Sequence, residues 1–571
     1  MQNEQVARHF DEIADLLEIQ GANAFRVRAY RNASRTISDL PESIHTLAGE
    51  GTHALTEIDG IGKDLAEKIV TLVETGSIPQ LDELREQVPA GVRQMLLIPN
   101  IGPKKVGKLY EELGVQTLDD LKAACEAGRV AELKGFGKKT EQIILEGLEQ
   151  VATAGQRFLL DVATHAAETI VEDLLTLDVV DRASVAGSCR RRKESCGDLD
   201  VLVTSSDSAA VMDFIADHEL VEDVLQRGDT KTRVRLTNGM EMDVRVVPDE
   251  SYGAALQYFT GSKEHNIVVR RRAQDRGMKL SEWGLFKGEK LVAGKTEEEV
   301  YEALDLKWMP PEIRENRGEI ELSEKDELPK LVEDSDILGD LHMHTTATDG
   351  TASIEEMAEA AKSRGLQYIA ITDHSKRVTM ANGLDADRLR AHWEEIDKVN
   401  TKIKGIEILK GIECDILEDA KMDLDDDVLA EADWVIAVLH YGLKQPRKQI
   451  MKRLLTAVEN PYVNVIGHPS GRLVGKRPPA DIDYPALFAA AAEHGTMMEI
   501  NAHPMRLDLD DVQTIAAREH GIPIVINTDA HAPTGLDLMT YGIDVARRAF
   551  LEKKHIANTK TWKQFQKLLK K

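Results

Sequence analysis

The sequence has few of the features that mark membrane, secreted or disulfide-stabilised proteins. No stretch of its 571 residues approaches the ~20 uninterrupted apolar residues needed to cross a bilayer. Its first residues lack the basic start and apolar middle of a signal peptide. The 4 cysteines form no CxxC pair, so neither a disulfide framework nor a cysteine-bound zinc is indicated. We therefore expect a cytoplasmic protein without a membrane partner.

The sequence also lacks the basic excess of a simple nucleic-acid-binding protein. Lys plus Arg number 72 against 99 for Asp plus Glu, a net charge of −27. This balance does not exclude DNA, because phosphates respond to the local field and metal-binding carboxylates raise the acidic count. A chain of 571 residues is longer than those that fold around a single hydrophobic core, so the length predicts several domains.

Three short segments of the first 150 residues share a glycine-rich pattern. In each, Gly or Asn is followed by an apolar residue and Gly, and a helical pattern with lysine comes next. Glycine allows a tight turn that presents backbone N–H groups at a helix N-terminus, where a DNA phosphate can bind. The pattern predicts three helix-hairpin-helix motifs that bind DNA through Gly60, Gly62, Lys63, Gly102, Lys104, Gly135, Gly137 and Lys138.

The middle of the chain carries three carboxylates on two predicted strands. Asp198 and Asp200 are two residues apart at the start of a β-branched run, so both point to one face. Asp243 lies in a second β-branched run. Three carboxylates can hold two divalent ions that serve the attacking and the leaving oxygen of a phosphoryl transfer. Mg²⁺ or Mn²⁺ suits such a site.

From about residue 337 onward, short apolar strands alternate with helical segments, which is typical of a β/α barrel. The predicted strands are 368–371, 434–439, 463–466, 497–500 and 524–526. Histidines and carboxylates recur around the strand ends, and this donor set suits Zn²⁺, Mn²⁺ or Fe. Their number points to three ions; they are His342, His344, Asp349, His374, Glu413, His440, His468, Asp529 and His531.

Residues 1 to about 315 resemble the family X DNA polymerases, the group of DNA polymerase beta. The motifs that carry this resemblance are Gly187-Ser188, Gly197-Asp198-Leu199-Asp200, Asp243 and Tyr258-Phe259-Thr260-Gly261-Ser262. The resemblance implies a palm in which Asp198 and Asp200 bind both metals and Asp243 binds the catalytic one. It also implies triphosphate binding by Ser188, Arg191 and Gly197, a sugar pocket of Tyr258, Phe259 and Gly261, and contacts of Asn266 and Arg270 with the nucleotide and the template minor groove.

Two positions depart from polymerase beta. Lys263 replaces an acidic residue after the Tyr-Phe-Thr-Gly-Ser motif, and we hypothesise that it reaches the triphosphate and raises nucleotide affinity. Lys68 matches the lysine that forms a Schiff base during removal of 5′-deoxyribose phosphate. Asp64, however, replaces a lysine that supports the phosphate there.

Most of residues 337–571 resemble PHP (polymerase and histidinol phosphatase) domains, and the nine candidate ligands carry this resemblance. This resemblance implies a distorted (β/α)₇ barrel with a trinuclear metal site. A family X core followed by a PHP domain is the layout of bacterial and archaeal family X polymerases. It implies gap-filling synthesis, 3′→5′ exonuclease and, in base excision repair, abasic-site endonuclease and 3′-phosphatase activity. The expected partners are gapped or primed DNA and deoxynucleoside triphosphates, for a monomer associated with the nucleoid.

The expected architecture is an all-α helix-hairpin-helix region, an α+β palm and thumb, and the barrel. The predicted boundaries are 1–85 and 86–150 for two helical domains, 151–250 for the palm, 251–315 for the thumb, 316–336 for a polar linker and 337–571 for the barrel. Two alternatives stay open at this point. The chain is a DNA-binding scaffold, or its C-terminal half is a small-molecule phosphatase fused to a polymerase.

Overall fold

A computed structural model describes residues 3–39, 44–49, 51–58, 60–98, 101–153 and 157–569. The chain divides into two compact units, Met1–Gln156 and Arg157–Lys571. Among the described residues, no helix is both long and apolar enough to span a membrane.

Amphipathic helices form the first unit. In helix α1 the apolar side chains of Val6, Phe10, Ile13 and Leu17 recur at helical spacing, and all are buried in the core of this unit. The helices are α1 (Asn3–Ile19), α2 (Ala24–Asp39), α3 (Ile44–Gly49), α4 (Thr52–Thr56), α5 (Lys63–Thr75), α6 (Pro79–Gln87), α7 (Ala90–Gln94), α8 (Pro103–Leu113), α9 (Leu118–Glu126) and α10 (Lys138–Thr153).

The helices predicted after the glycine hairpins are confirmed. Gly62 and Gly102 are the N-caps of α5 and α8, and α10 begins directly after Gly137. Gly60 and Gly135 have positive φ angles of 86° and 93°, which a hairpin turn requires. Lys63, Lys104 and Lys138 lie in the first turns of their helices. Asp59 of the first hairpin and Pro99 and Asn100 of the second lie outside the described residues.

The second unit begins with the predicted palm. Its five-stranded sheet has the order β2-β4-β7-β6-β5, with β4 and β7 parallel and the other pairs antiparallel. The elements are β1 (Phe158–Leu159), α11 (Leu160–Leu174), β2 (Val180–Val185), α12 (Gly187–Arg190), β3 (Ser195–Cys196), β4 (Asp198–Ser205), α13 (Ser208–Ala216), β5 (Val221–Arg227), β6 (Lys231–Leu236) and β7 (Glu241–Val246).

The predicted thumb combines helices with a small antiparallel sheet of order β10-β9-β8. Its elements are α14 (Tyr252–Thr260), α15 (Lys263–Asp275), β8 (Lys279–Ser281), β9 (Gly284–Lys287), β10 (Lys290–Ala293) and α16 (Glu297–Glu302).

Residues 316–336 are folded rather than extended, unlike the polar linker that the sequence suggested. They contain α17 (Glu319–Glu324), and Ile320 and Leu331 join the apolar cluster of the thumb. Glu319 is fully buried. The cost of burying its carboxylate is offset by His265 Nδ1, 2.7 Å away, and by a hydrogen bond from the backbone N–H of Arg317. Charge density does not reveal this packing, because an acidic residue with such partners can belong to a core.

Seven parallel strands in sequence order form the C-terminal barrel. A parallel bridge between Met343 and Ala530 brings the first and last strands together, so the sheet is nearly closed. The elements are β11 (Gly339–Asp340), α18 (Ile354–Ser363), β12 (Tyr368–Ile371), α19 (Ala386–Lys402), β13 (Glu407–Asp415), α20 (Asp426–Leu429), β14 (Trp434–Val438), α21 (Arg447–Glu459), β15 (Val465–Ile466), α22 (Tyr484–His494), β16 (Met497–Asn501), α23 (Asp511–Glu519), β17 (Ile524–Asn527), α24 (Met539–Arg548) and α25 (Trp562–Phe565). The predicted strands are therefore confirmed to within two residues.

Candidate active sites

The three palm carboxylates lie on two neighbouring strands. Asp198 and Asp200 share one face of β4, and Asp200 is directly opposite Asp243 of the parallel strand β7. Burial, together with the charges of Asp198 and Asp243, raises the pKa of Asp200 to about 6. Burial likewise raises the pKa of Asp198. The site thus concentrates negative charge that a bound cation would offset.

The two carboxylate oxygens of Asp243 differ in their hydrogen bonding. Its Oδ2 lies 3.0 Å from Lys231 Nζ and 3.0 Å from Arg245 Nη2. Its Oδ1 is buried and lies 3.9 Å from Arg233 Nε, but it has no hydrogen-bond partner within the described part of the chain. Because an orphaned carboxylate oxygen is costly to bury, this donor set fits a divalent ion.

The segments predicted to bind the triphosphate meet beside these carboxylates. Gly187 opens α12 at a φ of 64°, and a Cβ there would lie 2.8 Å from Asp200 Oδ2, so only glycine fits. Ser188 follows in α12, and Gly197 directly precedes Asp198.

Arg191 comes directly after α12 and bridges to the thumb. Its Nη1 donates to the carbonyl oxygen of Thr260, and its Nε lies 3.1 Å from Glu315 Oε1. A Cβ on Gly261 would lie 3.2 Å from Arg191 Nη1. The structure therefore brings Arg191 and the Tyr-Phe-Thr-Gly-Ser motif together.

The remaining predicted nucleotide contacts line helices α14 and α15. The rings of Tyr258 and Phe259 meet edge to face with centroids 5.1 Å apart, and the Arg270 guanidinium lies 5.9 Å from the Tyr258 ring. The Asn266 amide is buried, donates to the Tyr258 carbonyl at 2.7 Å and accepts from Gln257. Its side chain is thus committed to holding the end of α14. Lys263 is exposed in the first turn of α15.

The barrel gathers all nine predicted ligands. Most follow a strand of the parallel sheet, at the end where active sites of such barrels lie, whereas Glu413 stands within β13. Their ligand atoms fall into overlapping groups within 4.8 Å of one another: His344, Asp349, His374 and His531; His342, Glu413 and His468; His342, His344 and Asp529; and His374, Glu413 and His440.

Glu413 lies at the centre of this cluster. Its Oε1 is 2.9 Å from His468 Nε2 and 3.4 Å from both His342 Nε2 and His440 Nε2. Burial, the largest influence, raises the pKa of this carboxyl, yet the surrounding histidines together hold it well below its usual range. The carboxylate is therefore ionised and available as a ligand.

The chemistry of the cluster fits metal ions. Burial and the neighbouring His374 lower the pKa of His344 to about 4, which keeps this imidazole neutral, as a metal ligand must be. His342 Nε2 and His344 Nδ1 are buried without a hydrogen-bond partner among the described residues, whereas Glu413 Oε2 lies 2.5 Å from His374 Nδ1. Such orphaned donor atoms, facing one another, suit several divalent ions.

Two buried carboxylates that we did not predict orient the histidines. Glu499 Oε1 lies 2.8 Å from His342 Nδ1, and its Oε2 accepts from the backbone N–H of His468 at 2.7 Å. Asp415 Oδ2 lies 3.0 Å from His440 Nδ1. Such contacts fix the orientation of a ligating imidazole. For Glu499 the available signal was a charged residue within the mainly apolar strand β16, whereas Asp415 ends β13, two residues after the ligand Glu413.

Comparison with protein families matches five regions of the chain, of which the palm and thumb regions overlap at residues 255–271. A helix-hairpin-helix domain matches residues 1–78, and a SAM-like helix-hairpin-helix tandem matches residues 92–150. The DNA polymerase beta palm matches residues 161–271, and the DNA polymerase beta thumb matches residues 255–315. A PHP domain matches residues 340–503.

Among individual proteins, the DNA polymerase/3′-5′ exonuclease PolX of Bacillus subtilis (strain 168) is 40% identical over 574 residues, covering 100% of both chains. A probable phosphatase of Thermoanaerobacter sp. (strain X514) is 32% identical over 38% of this chain and 89% of its own. Rat DNA polymerase lambda is 25% identical over 55% of this chain and 56% of its own.

The match to PolX extends over the whole length of both proteins, and the helical, palm, thumb and barrel regions each match the corresponding family. The chain is therefore an enzyme that belongs to the family X DNA polymerases with a C-terminal PHP domain.

Proposed function

We propose that this enzyme fills gaps in DNA at the palm and removes nucleotides from 3′ ends at the barrel. This proposal rests on two separate sets of candidate metal ligands: the carboxylates of β4 and β7, and the nine-residue cluster of the barrel. The full-length relative named DNA polymerase/3′-5′ exonuclease supports the pairing of these activities.

At the palm, Asp198, Asp200 and Asp243 would hold two ions, Mg²⁺ or Mn²⁺. Such ions supply the positive charge that favours a primer 3′-oxyanion and steadies the departing pyrophosphate. Arg191 and Ser188 bind the triphosphate from one side, and the Tyr258–Phe259 pair bounds the sugar from the other. Asn266 acts by fixing the Tyr258 backbone.

In the barrel, the nine residues would hold three ions, with Zn²⁺, Mn²⁺ and Fe all compatible with histidine and carboxylate ligands. Such ions supply an acidified water and a counter-charge for the leaving oxygen. Glu499 and Asp415 keep His342 and His440 in their ligating orientation.

The DNA substrate is gapped or primed duplex, and the hairpin glycines and lysines at the starts of α5, α8 and α10 bind its phosphates. We place the enzyme, as a monomer at the nucleoid, in base excision repair. We also infer abasic-site endonuclease and 3′-phosphatase activity for the barrel. The 3′-phosphatase activity is supported by the likeness of this region to a probable phosphatase.

The test uses a 5′-labelled primer in a one-nucleotide-gapped duplex, with Mg²⁺ or Mn²⁺ and with or without deoxynucleotides. We expect extension by one nucleotide when they are present and shortening of the 3′ end when they are absent. Primers ending in a 3′-phosphate or flanking an abasic site examine the two additional barrel activities. If the primer is neither extended nor shortened, the proposal is wrong.

We predict that Lys263→Ala weakens binding of the incoming nucleotide by about five- to tenfold, the effect of losing roughly one charge-assisted contact. Lys263 is exposed in the first turn of α15, three residues after Thr260, whose carbonyl oxygen accepts from Arg191. Nucleotide affinity is measured by titration calorimetry. Lys279→Ala, which removes an exposed lysine of β8, is the matched control. An unchanged affinity for Lys263→Ala would rule out the contact.

We propose that Lys68 supports a Schiff-base lyase activity that its neighbour restrains. Lys68 Nζ contacts the Asp64 carboxylate one helical turn away. This contact engages the amine that must attack the sugar aldehyde, and Asp64 repels the 5′-phosphate.

We predict that Asp64→Ala increases, and Lys68→Ala abolishes, the covalent adduct trapped by borohydride on 5′-deoxyribose phosphate DNA. Lys122→Ala, which removes an exposed lysine of α9, should leave the adduct unchanged. The absence of any adduct with both the wild type and Asp64→Ala would end the lyase proposal.

A further inference from the structure

A buried carboxylate connects the nucleotide-binding side of the palm to the barrel. Glu315 is 9% exposed and lies within 4 Å of three cations. Its Oε1 is 3.1 Å from Arg191 Nε and 3.1 Å from Arg548 Nη1, and its Oε2 is 3.8 Å from Lys193 Nζ. Arg191 belongs to the palm, whereas Arg548 is the last residue of barrel helix α24. One carboxylate is thus shared between the two halves of the unit.

Arg548 also contacts the backbone of the nucleotide-binding segment. Its guanidinium is buried, with 4% of the side chain exposed, and its Nη1 donates to the Arg191 carbonyl at 2.6 Å. Its Nη2 donates to Asp511 at 2.6 Å, and Asp511 is held in turn by Arg317 at 3.0 Å. The guanidinium is therefore fixed on the barrel side and holds the palm backbone on the other.

These contacts influence Arg191 in two ways that act in the same direction. The hydrogen bond to its carbonyl fixes the backbone from which the Arg191 side chain extends. Arg548 also forms an ion pair with the Glu315 carboxylate and so weakens the pairing of Glu315 with Arg191. That pairing competes with a nucleotide phosphate for the Arg191 guanidinium. Loss of Arg548 would misplace Arg191 and strengthen its pairing with Glu315.

We propose that Arg548, a residue of the barrel, is a positioning residue of the polymerase nucleotide site. It keeps Arg191 in place and available for the triphosphate of the incoming nucleotide. The inference rests on the proposed function, in which Arg191 binds that triphosphate. It means that the barrel forms part of the polymerase site as well as carrying its own chemistry.

The neighbouring residue provides a matched control. Arg547 also links the barrel to the preceding residues, because its Nε donates to Glu312 at 2.8 Å and its Nη1 donates to the Val332 carbonyl at 2.9 Å. No contact between Arg547 and Arg191 occurs among the described residues. Arg547→Gln therefore removes a comparable tie between the same regions without touching the nucleotide-binding segment.

The experiment measures single-nucleotide gap filling by the full-length enzyme over a range of nucleotide concentrations. We expect Arg548→Gln to raise KM for the nucleotide about tenfold, the loss expected for one charge-assisted hydrogen bond, with little change in kcat. Arg548→Lys should recover part of this loss, and Arg547→Gln should leave KM unchanged. Adding Glu315→Gln to Arg548→Gln should restore KM toward the wild-type value, because it removes the competing carboxylate.

Melting temperatures and 3′-shortening rates of the variants show whether an effect is only structural. Equal KM values for Arg548→Gln and Arg547→Gln would overturn the inference, as would a further rise in KM on adding Glu315→Gln. Arg191→Ala distinguishes a failure of the proposed role of Arg191 from a failure of the inference about Arg548. If Arg191→Ala leaves KM unchanged, the proposed role of Arg191 fails. If it raises KM and Arg548→Gln does not, only the inference about Arg548 fails.

Discussion

Replacement of Asp198 and Asp200 by asparagine will reduce primer extension by at least about 10³-fold and leave 3′ shortening intact. Both carboxylates lie on one face of β4 beside Asp243, and asparagine preserves their shape while removing the charge that holds the ions. Loss of ions that supply several kcal/mol of transition-state stabilisation corresponds to an effect of this size. Extension and shortening are followed on the same labelled gapped duplex.

The control for this prediction is Asp223→Asn, which changes an exposed acidic residue of β5 in the same sheet. It should retain full extension activity. The two-metal assignment fails if the double variant still extends primers at a rate close to that of the wild type. A parallel loss of 3′ shortening would instead indicate a single shared site.

Replacement of His342 and His344 by alanine will have the complementary result, a loss of 3′ shortening by about 10³-fold or more with extension retained. These two fully buried histidines contribute to three of the four ligand groups, so their removal disrupts most of the metal cluster. Shortening is measured without nucleotides, and bound metal is counted by elemental analysis of the purified variant.

The matched control is His494→Ala/His520→Ala, which removes two exposed histidines at or just after the C-termini of α22 and α23. This variant should keep its metal and its 3′-shortening activity. Undiminished shortening by His342→Ala/His344→Ala would contradict the assignment. Hydrolysis of histidinol phosphate by a wild-type enzyme that leaves DNA 3′ ends intact would favour the small-molecule phosphatase alternative.

The sequence was most informative where the spacing of the candidate ligands matches the regular geometry of a strand or a parallel sheet. Asp198 and Asp200 share a face because a strand alternates, and the parallel register then places Asp243 opposite Asp200. The ligands that follow successive barrel strands meet because strands of one parallel sheet end on the same side. In both cases, local spacing together with a predicted fold was sufficient to predict which side chains would meet.

The sequence was least informative about contacts that depend on exact packing. The polar composition of 316–336 concealed Ile320 and the buried partners of Glu319. Glu315 and Arg548 are 233 residues apart, and neither stands in a recognisable motif. The commitment of the Asn266 amide to Tyr258 was equally invisible, because residue type does not specify which hydrogen bond an amide makes.

The four ligand groups of the barrel form a ring, because each group shares one residue with the next. His344 joins the first group to the third, His342 joins the third to the second, Glu413 joins the second to the fourth, and His374 returns to the first. An ion bound in one group therefore orients a ligand that its neighbour also needs. Because a neutral imidazole offers one lone pair, a histidine common to two groups cannot serve an ion in each of them, and the four overlapping groups are compatible with the three ions proposed for the barrel.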